Sequence, residues 1–218
     1  MKTLTEKPLI YSYRDHRTVV GILGMALPFV LFLGALIVFQ TGMQDSISSY
    51  YHTGMRNVFV GALWAIGLCL LSYKGYERID DMAGNFACVS AMGITLFPTA
   101  PQVNPSIEAS WIGGVHLFFG ALFFLTLIYF SLCLFTKTHP EKTPTLGKLL
   151  RNKIYRGCGY SMALCMLLIL IYFVLPNKEG SFLERINPVF LLETIAILAF
   201  GLSWLAKGDD IQVRLNLQ

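Results

Sequence analysis

Between Val19 and Phe39 the chain runs twenty-one residues without a charged, amide or hydroxyl side chain. Hydrocarbon offers no water to satisfy backbone N–H and C=O groups, so an apolar run of this length reads as a helix crossing a bilayer. Such runs recur near 18–40, 54–73, 82–100, 110–136, 156–176 and 187–206. They predict an all-α fold, a transmembrane bundle of about six spans formed by residues 1–218 as one integral membrane domain. Charged residues are 14% of the chain, against ~25% in soluble domains, which fits lipid as the solvent. A net charge of +4 gives no support to a nucleic-acid partner.

Local signals agree with the runs. Phe97-Pro98-Thr99-Ala100-Pro101 cannot continue a helix, and Pro176-Asn177 closes the fifth span. Asn187-Pro188 reads as an N-cap with proline at the first helical position, and Lys207-Gly208 as a helix end. Asp80 and Asp81 suit a helix N-terminus. Cys69, Cys88, Cys133, Cys158 and Cys165 lie in apolar runs without metal-ligand spacing and read as small buried hydrophobes. Gly61/Ala65 and Gly157/Ser161 have the spacing that permits close helix contact.

Fourteen of the seventeen basic residues fall on one side of this topology, which leaves only Arg56, Lys178 and Arg185 on the other. The positive-inside rule then places both termini in the cytoplasm of a multi-pass cell-membrane protein such as one of a bacterial inner membrane. The basic stretch Lys137–Arg156 reads as a topology signal in a cytoplasmic loop. Tyr50, Tyr51 and Trp111 are expected in an outer aromatic belt, and Tyr73, Tyr76 and Trp204 in an inner one.

Ionisable side chains inside spans are expensive and mark functional sites. His116 and Glu193 each lie about six residues into spans that enter from the outer side, roughly 9 Å deep at 1.5 Å per residue. They are expected at one depth, facing a shared cavity. Asp45 to Asn57 is the most polar outer stretch. Helical i, i+4 spacing would line Ser48, His52 and Arg56 along one ridge. Arg56 would orient an anionic headgroup or neutralise Glu193, with Asp45 and Asn57 as supporting ligands. His16 and His139 belong to the opposite side.

Three chemistries fit these residues. His52, His116 and Glu193 can ligate a divalent metal, most plausibly zinc, with water completing the shell. Ser48 with a histidine and an acid can form a nucleophilic arrangement, so that Ser48, His52, His116 and Glu193 are the catalytic candidates. A hydrogen-bonded cluster that fixes packing or binds a headgroup is the third. The functional expectation is an outer-leaflet polar site acting on membrane lipid, as a metal-dependent hydrolase of lipid or amide bonds. The alternative is a non-enzymatic lipid- or solute-binding protein, a transporter or an assembly factor.

Ser48-x-x-x-His52 at the head of the second span resembles the first motif of the CREST membrane hydrolases, the alkaline ceramidases and adiponectin-receptor-like proteins. The resemblance implies a zinc-activated water that attacks a lipid amide. That superfamily carries a later H-x-x-x-H, where this chain has His116 followed by Gly120, and Glu193 would stand in for a histidine. Ser46-Ile47-Ser48 in the first outer loop is similar to the DRAM and Sfk type among small six-span bacterial membrane proteins.

Overall fold

The computed structural model describes residues 13–73, 77–101, 103–138, 145–175 and 186–215, with side chains from Arg17 to Lys207. The expected stop at Pro176-Asn177, and the expectations for Tyr76, His139, Lys178, Arg185 and the His16 side chain, lie outside them. The described residues contain six long helices and no strand: α1 (Tyr13–Val38), α2 (Arg56–Leu71), α3 (Arg78–Leu96), α4 (Ile107–Tyr129), α5 (Leu146–Val174) and α6 (Pro188–Leu215). The all-α expectation is met. Four stretches are long and apolar enough to cross a membrane, Arg17–Val38, Ile107–Leu134, Leu146–Val174 and Pro188–Lys207.

Helix starts follow from local chemistry. Glu77 and Asp80 form a reciprocal capping box at α3, as the acidic pair suggested. Ser106 Oγ accepts the Ala109 N–H at 3.1 Å to start α4. Thr145 Oγ1 accepts the Lys148 N–H at 3.3 Å, so α5 begins ten residues before the expected span at 156 and absorbs part of the stretch read as a loop. At the other extreme, Lys207-Gly208 does not end α6, which runs on to Leu215. A lone glycine costs a helix only ~1 kcal/mol, too little to stop one that strong formers continue.

Each helix packs on its sequence neighbours, and α6 returns to pack on α1, closing the bundle into a ring. Two contacts depend on glycine. A Cβ on Gly84 of α3 would stand 2.5 Å from the Leu70 carbonyl of α2, and one on Gly201 of α6 would stand 2.9 Å from the Gly21 carbonyl of α1. Gly61 and Gly157, named for close contact by their spacing, have open space at that position instead. A five-residue π-helical turn widens the end of α4 over Phe130–Leu134, where Ser131 Oγ lies 2.9 Å from Ser203 Oγ of α6.

The end of the bundle that holds the start of α1 and Lys207 is basic and aromatic. Trp204 stacks its edges and faces with Tyr73, Phe130, Phe135 and Phe200. Trp204 and Tyr73 are buried here, as Tyr50 is at the opposite end, so these three are core residues where a belt was expected. Trp111 is exposed, as a belt residue would be. Lys148 is buried and donates from Nζ to the Phe135 carbonyl at 2.7 Å, satisfying a helix C-terminus. Lys137 donates to the buried Asp80 carboxylate at 2.6 Å, and that hydrogen bond holds the Lys137 ammonium above its ordinary pKa. The five cysteines are free; Cys88, Cys158 and Cys165 are buried, Cys69 is half-buried and Cys133 is exposed.

Candidate functional site

The opposite end of the bundle is built from three connections docked onto helix ends. Residues Ser48–His52 form a single 3₁₀ turn, not an α-helix, and Thr53 is extended at φ −116°, ψ 177° before α2 begins. With three residues per turn, positions i and i+4 stand about 120° apart. The ridge expected of Ser48, His52 and Arg56 is therefore broken. Arg56 lies over the Tyr51 ring, 4.3 Å from its centroid, and donates to its hydroxyl. Asn57 is exposed.

The serine-rich turn is clasped by α6. Glu193 Oε2 accepts the Ile47 N–H at 2.6 Å, and the Asp45 carbonyl accepts the Phe190 N–H at 2.8 Å. The second bond satisfies one of the amides that the first turn of a helix leaves without a partner. Asn187, just ahead of Pro188, takes φ +46°, a left-handed conformation that asparagine tolerates. Within the turn, Ser46 Oγ lies 3.1 Å from Ser48 Oγ and 2.7 Å from Ser49 Oγ. The hydrogen bond on Ser48 thus goes to another serine.

Both histidines grip the connection after α3. His116 Nδ1 sits 3.0 Å from the Ile94 carbonyl and 2.8 Å from the Phe97 carbonyl. Carbonyls only accept, so Nδ1 carries the proton, and in the neutral ring Nε2 is an acceptor. His52 Nε2 donates to the Thr99 carbonyl at 2.7 Å. These carbonyl partners leave no mark in the sequence, because any residue supplies one.

A cavity of ≈ 560 Å³ lies in the seam between α4 and α5. Its polar end is formed by Asp45, Ser46, Ser48, Thr99, His116 and Glu193. Its apolar walls come from Gly120, Ala121 and Phe124 on α4 and from Met166, Ile169 and Phe173 on α5. Leu117 and Leu170 also line it and are 53% and 60% exposed, so the cavity opens sideways through the bundle wall. From His116 to Phe124 it descends about 12 Å along α4.

Of the residues singled out by sequence, Ser48, His116, Glu193 and Asp45 share this cavity, whereas His52, Arg56 and Asn57 are outside its lining. The proposed zinc ligands are thereby divided, with His116 and Glu193 in the cavity and His52 Nε2 committed to Thr99. No three His, Cys, Asp or Glu side chains among the described residues come together in a metal-holding group. Met166, Ile169 and Phe173 were not singled out, since apolar residues in an apolar helix carry no distinguishing signal. No protein-family model, curated protein or solved structure matches this chain.

Proposed function

We propose that this chain is a six-span membrane protein, with cytoplasmic termini, that binds a single-chain amphiphile in the α4–α5 cavity. The observation that carries the reading is the form of that cavity: a polar end of hydroxyl, imidazole and carboxylate groups above apolar walls, open sideways. Small-molecule sites of ~300–1,000 Å³ with a few convergent polar groups are the usual form of binding pocket. A lateral opening lets a ligand enter from lipid without its tail crossing water.

Six spans are supported by α2 and α3 as well as the four longer stretches. On α3, Ile79, Met82, Phe86, Val89 and Leu96 are all exposed and follow helical spacing. Such a stripe is at home against acyl chains. The basic residues at the α1 end, among them Arg17, Lys148, Arg151 and Lys207, favour that end as cytoplasmic.

Gly120 supplies the test. A Cβ there meets nothing within 4 Å and Gly120 lines the cavity, so Gly120→Leu is the substitution chosen to add bulk at its wall. Organic extracts of wild-type and Gly120→Leu protein, purified in parallel and analysed by mass spectrometry, are expected to differ by about one amphiphile per chain. Identical extracts would remove the reading.

A zinc-dependent hydrolase of lipid or amide bonds is the second reading. What favours it is His116, whose Nδ1–H on two carbonyls leaves Nε2 as an acceptor, the arrangement common to metal-ligating and general-base histidines. About one zinc per purified chain, lost in His116→Ala, would decide for it; metal-free protein that keeps its amphiphile would decide against it.

A further inference from the structure

We propose that two copies of this chain associate through the outward face of α3, where the Asn85 side-chain amides of the two copies hydrogen-bond to each other. This rests on the six-span reading, which sets α3 in lipid, and is independent of what the cavity binds. α3 has two faces of different character. Ala83, Gly84, Ala87, Cys88 and Ala91 are buried, and these small residues face the neighbours α2 and α4. On the opposite face Met82, Val89 and Leu96 are 49%, 56% and 64% exposed, Asn85 is exposed and Met92 is half-buried. Met82, Asn85, Val89, Met92 and Leu96 follow one another in alternating steps of three and four residues, the repeat that lines the seam between paired helices.

Asn85 distinguishes this face from a stripe that acyl chains alone would cover. It stands about 10 Å along the helix from Arg78, among the exposed side chains of Met82, Phe86 and Val89. Its amide makes no hydrogen bond among the described residues. Acyl chains offer neither donor nor acceptor, and an amide without a partner in hydrocarbon is costly. Whatever covers this face must therefore bring a polar group to the same depth. A second copy does so by symmetry: chains inserted in one orientation set α3 parallel to α3, and Asn85 meets Asn85 across a two-fold axis. Each amide both donates and accepts, so the pair satisfies itself. Hydrogen bonds of this kind hold membrane helices together, and in a seam of this repeat a single asparagine fixes the register.

The experiment uses the full chain in phosphatidylcholine vesicles. Chains labelled at the N-terminus with a donor or an acceptor dye are mixed, and energy transfer is followed as the protein is diluted with lipid. Wild type is expected to give transfer that fits a monomer–dimer equilibrium. Asn85→Leu, which keeps the face apolar, is expected to raise the protein-to-lipid ratio at half-association by about threefold or more. Asn85→Gln keeps an amide on the same face and is expected to recover part of that shift. Wild type without transfer beyond random encounter, or a dimer that Asn85→Leu leaves unchanged, would overturn the proposal. A separate measurement decides whether α3 lies in lipid at all. Phe86→Trp, added to Asn85→Leu chains, is expected to gain fluorescence that acyl-chain-brominated lipid quenches. Quenching without a wild-type dimer would overturn the dimer and leave six spans standing, whereas no quenching would overturn both.

Discussion

The carboxylate of Glu193 accepts the backbone N–H of Ile47 at 2.6 Å, joining residues 146 positions apart. This bond sets the polar end of the cavity, because it fixes the serine turn against the start of α6. A carboxylate that accepts from backbone N–H in a partly buried position contributes roughly 1.5–3 kcal/mol. Glu193→Ala is expected to lower stability by about that amount, and Glu193→Gln by less, since an amide oxygen still accepts. Thermal unfolding in detergent measures both, and amide exchange at Ile47 should quicken in the alanine variant alone.

His116 has a structural role separable from any chemistry at Nε2. Its Nδ1–H holds the Ile94 and Phe97 carbonyls where α3 ends. His116→Ala should cost about 1–3 kcal/mol by leaving those carbonyls without a donor. His116→Asn places an amide N–H near the same position and should recover most of the loss. Equal melting temperatures for the two variants would rule out the carbonyl contact as the source.

At the other end, the Asp80 hydrogen bond raises the pKa of Lys137 above its ordinary value. A raised folded-state pKa means stability fully present below the unfolded value, ~10.4, and lost as pH climbs through the folded one. The margin of wild type over Lys137→Met is therefore expected to hold from about pH 7 to 10 and to shrink above that. Melting curves across the range give the answer, and a margin that grows with pH would contradict it.

Gly84 and Gly61 make a paired prediction. Gly84→Val drives a side chain into the Leu70 carbonyl and should destabilise by about 1–3 kcal/mol or more. Gly61→Ala meets open space on a helix and should be neutral or stabilising by up to ~1 kcal/mol. Urea or thermal unfolding of the two variants should separate them clearly.

Sequence reading found the helices because each is an apolar run bounded by polar residues, and four of them are long and apolar enough to cross a membrane. All six expected segments correspond to observed helices, with ends displaced where a cap or a tolerated glycine intervened. It also expected His116 and Glu193 to face a shared cavity, from counting residues along two helices, and both line the same one. The Ser48–His52–Arg56 ridge failed because i, i+4 logic presumes an α-helix, and a five-residue 3₁₀ turn followed by an extended Thr53 breaks the register. The aromatic residues were misread for a different reason. Tyr50, Tyr73 and Trp204 stand near the ends of apolar runs, but position along the chain does not say whether a ring faces outward or a neighbouring helix. The cavity walls were invisible for the same cause.

Because α6 packs on α1 and also clasps the turn between α1 and α2, a ribosome-bound chain halted before Pro188 would hold five helices with an open side. Neither Glu193 nor the two hydrogen bonds that tie the serine turn to α6 would yet exist. The polar end of the cavity is thus completed only when α6 meets α1, and its form depends on that closure.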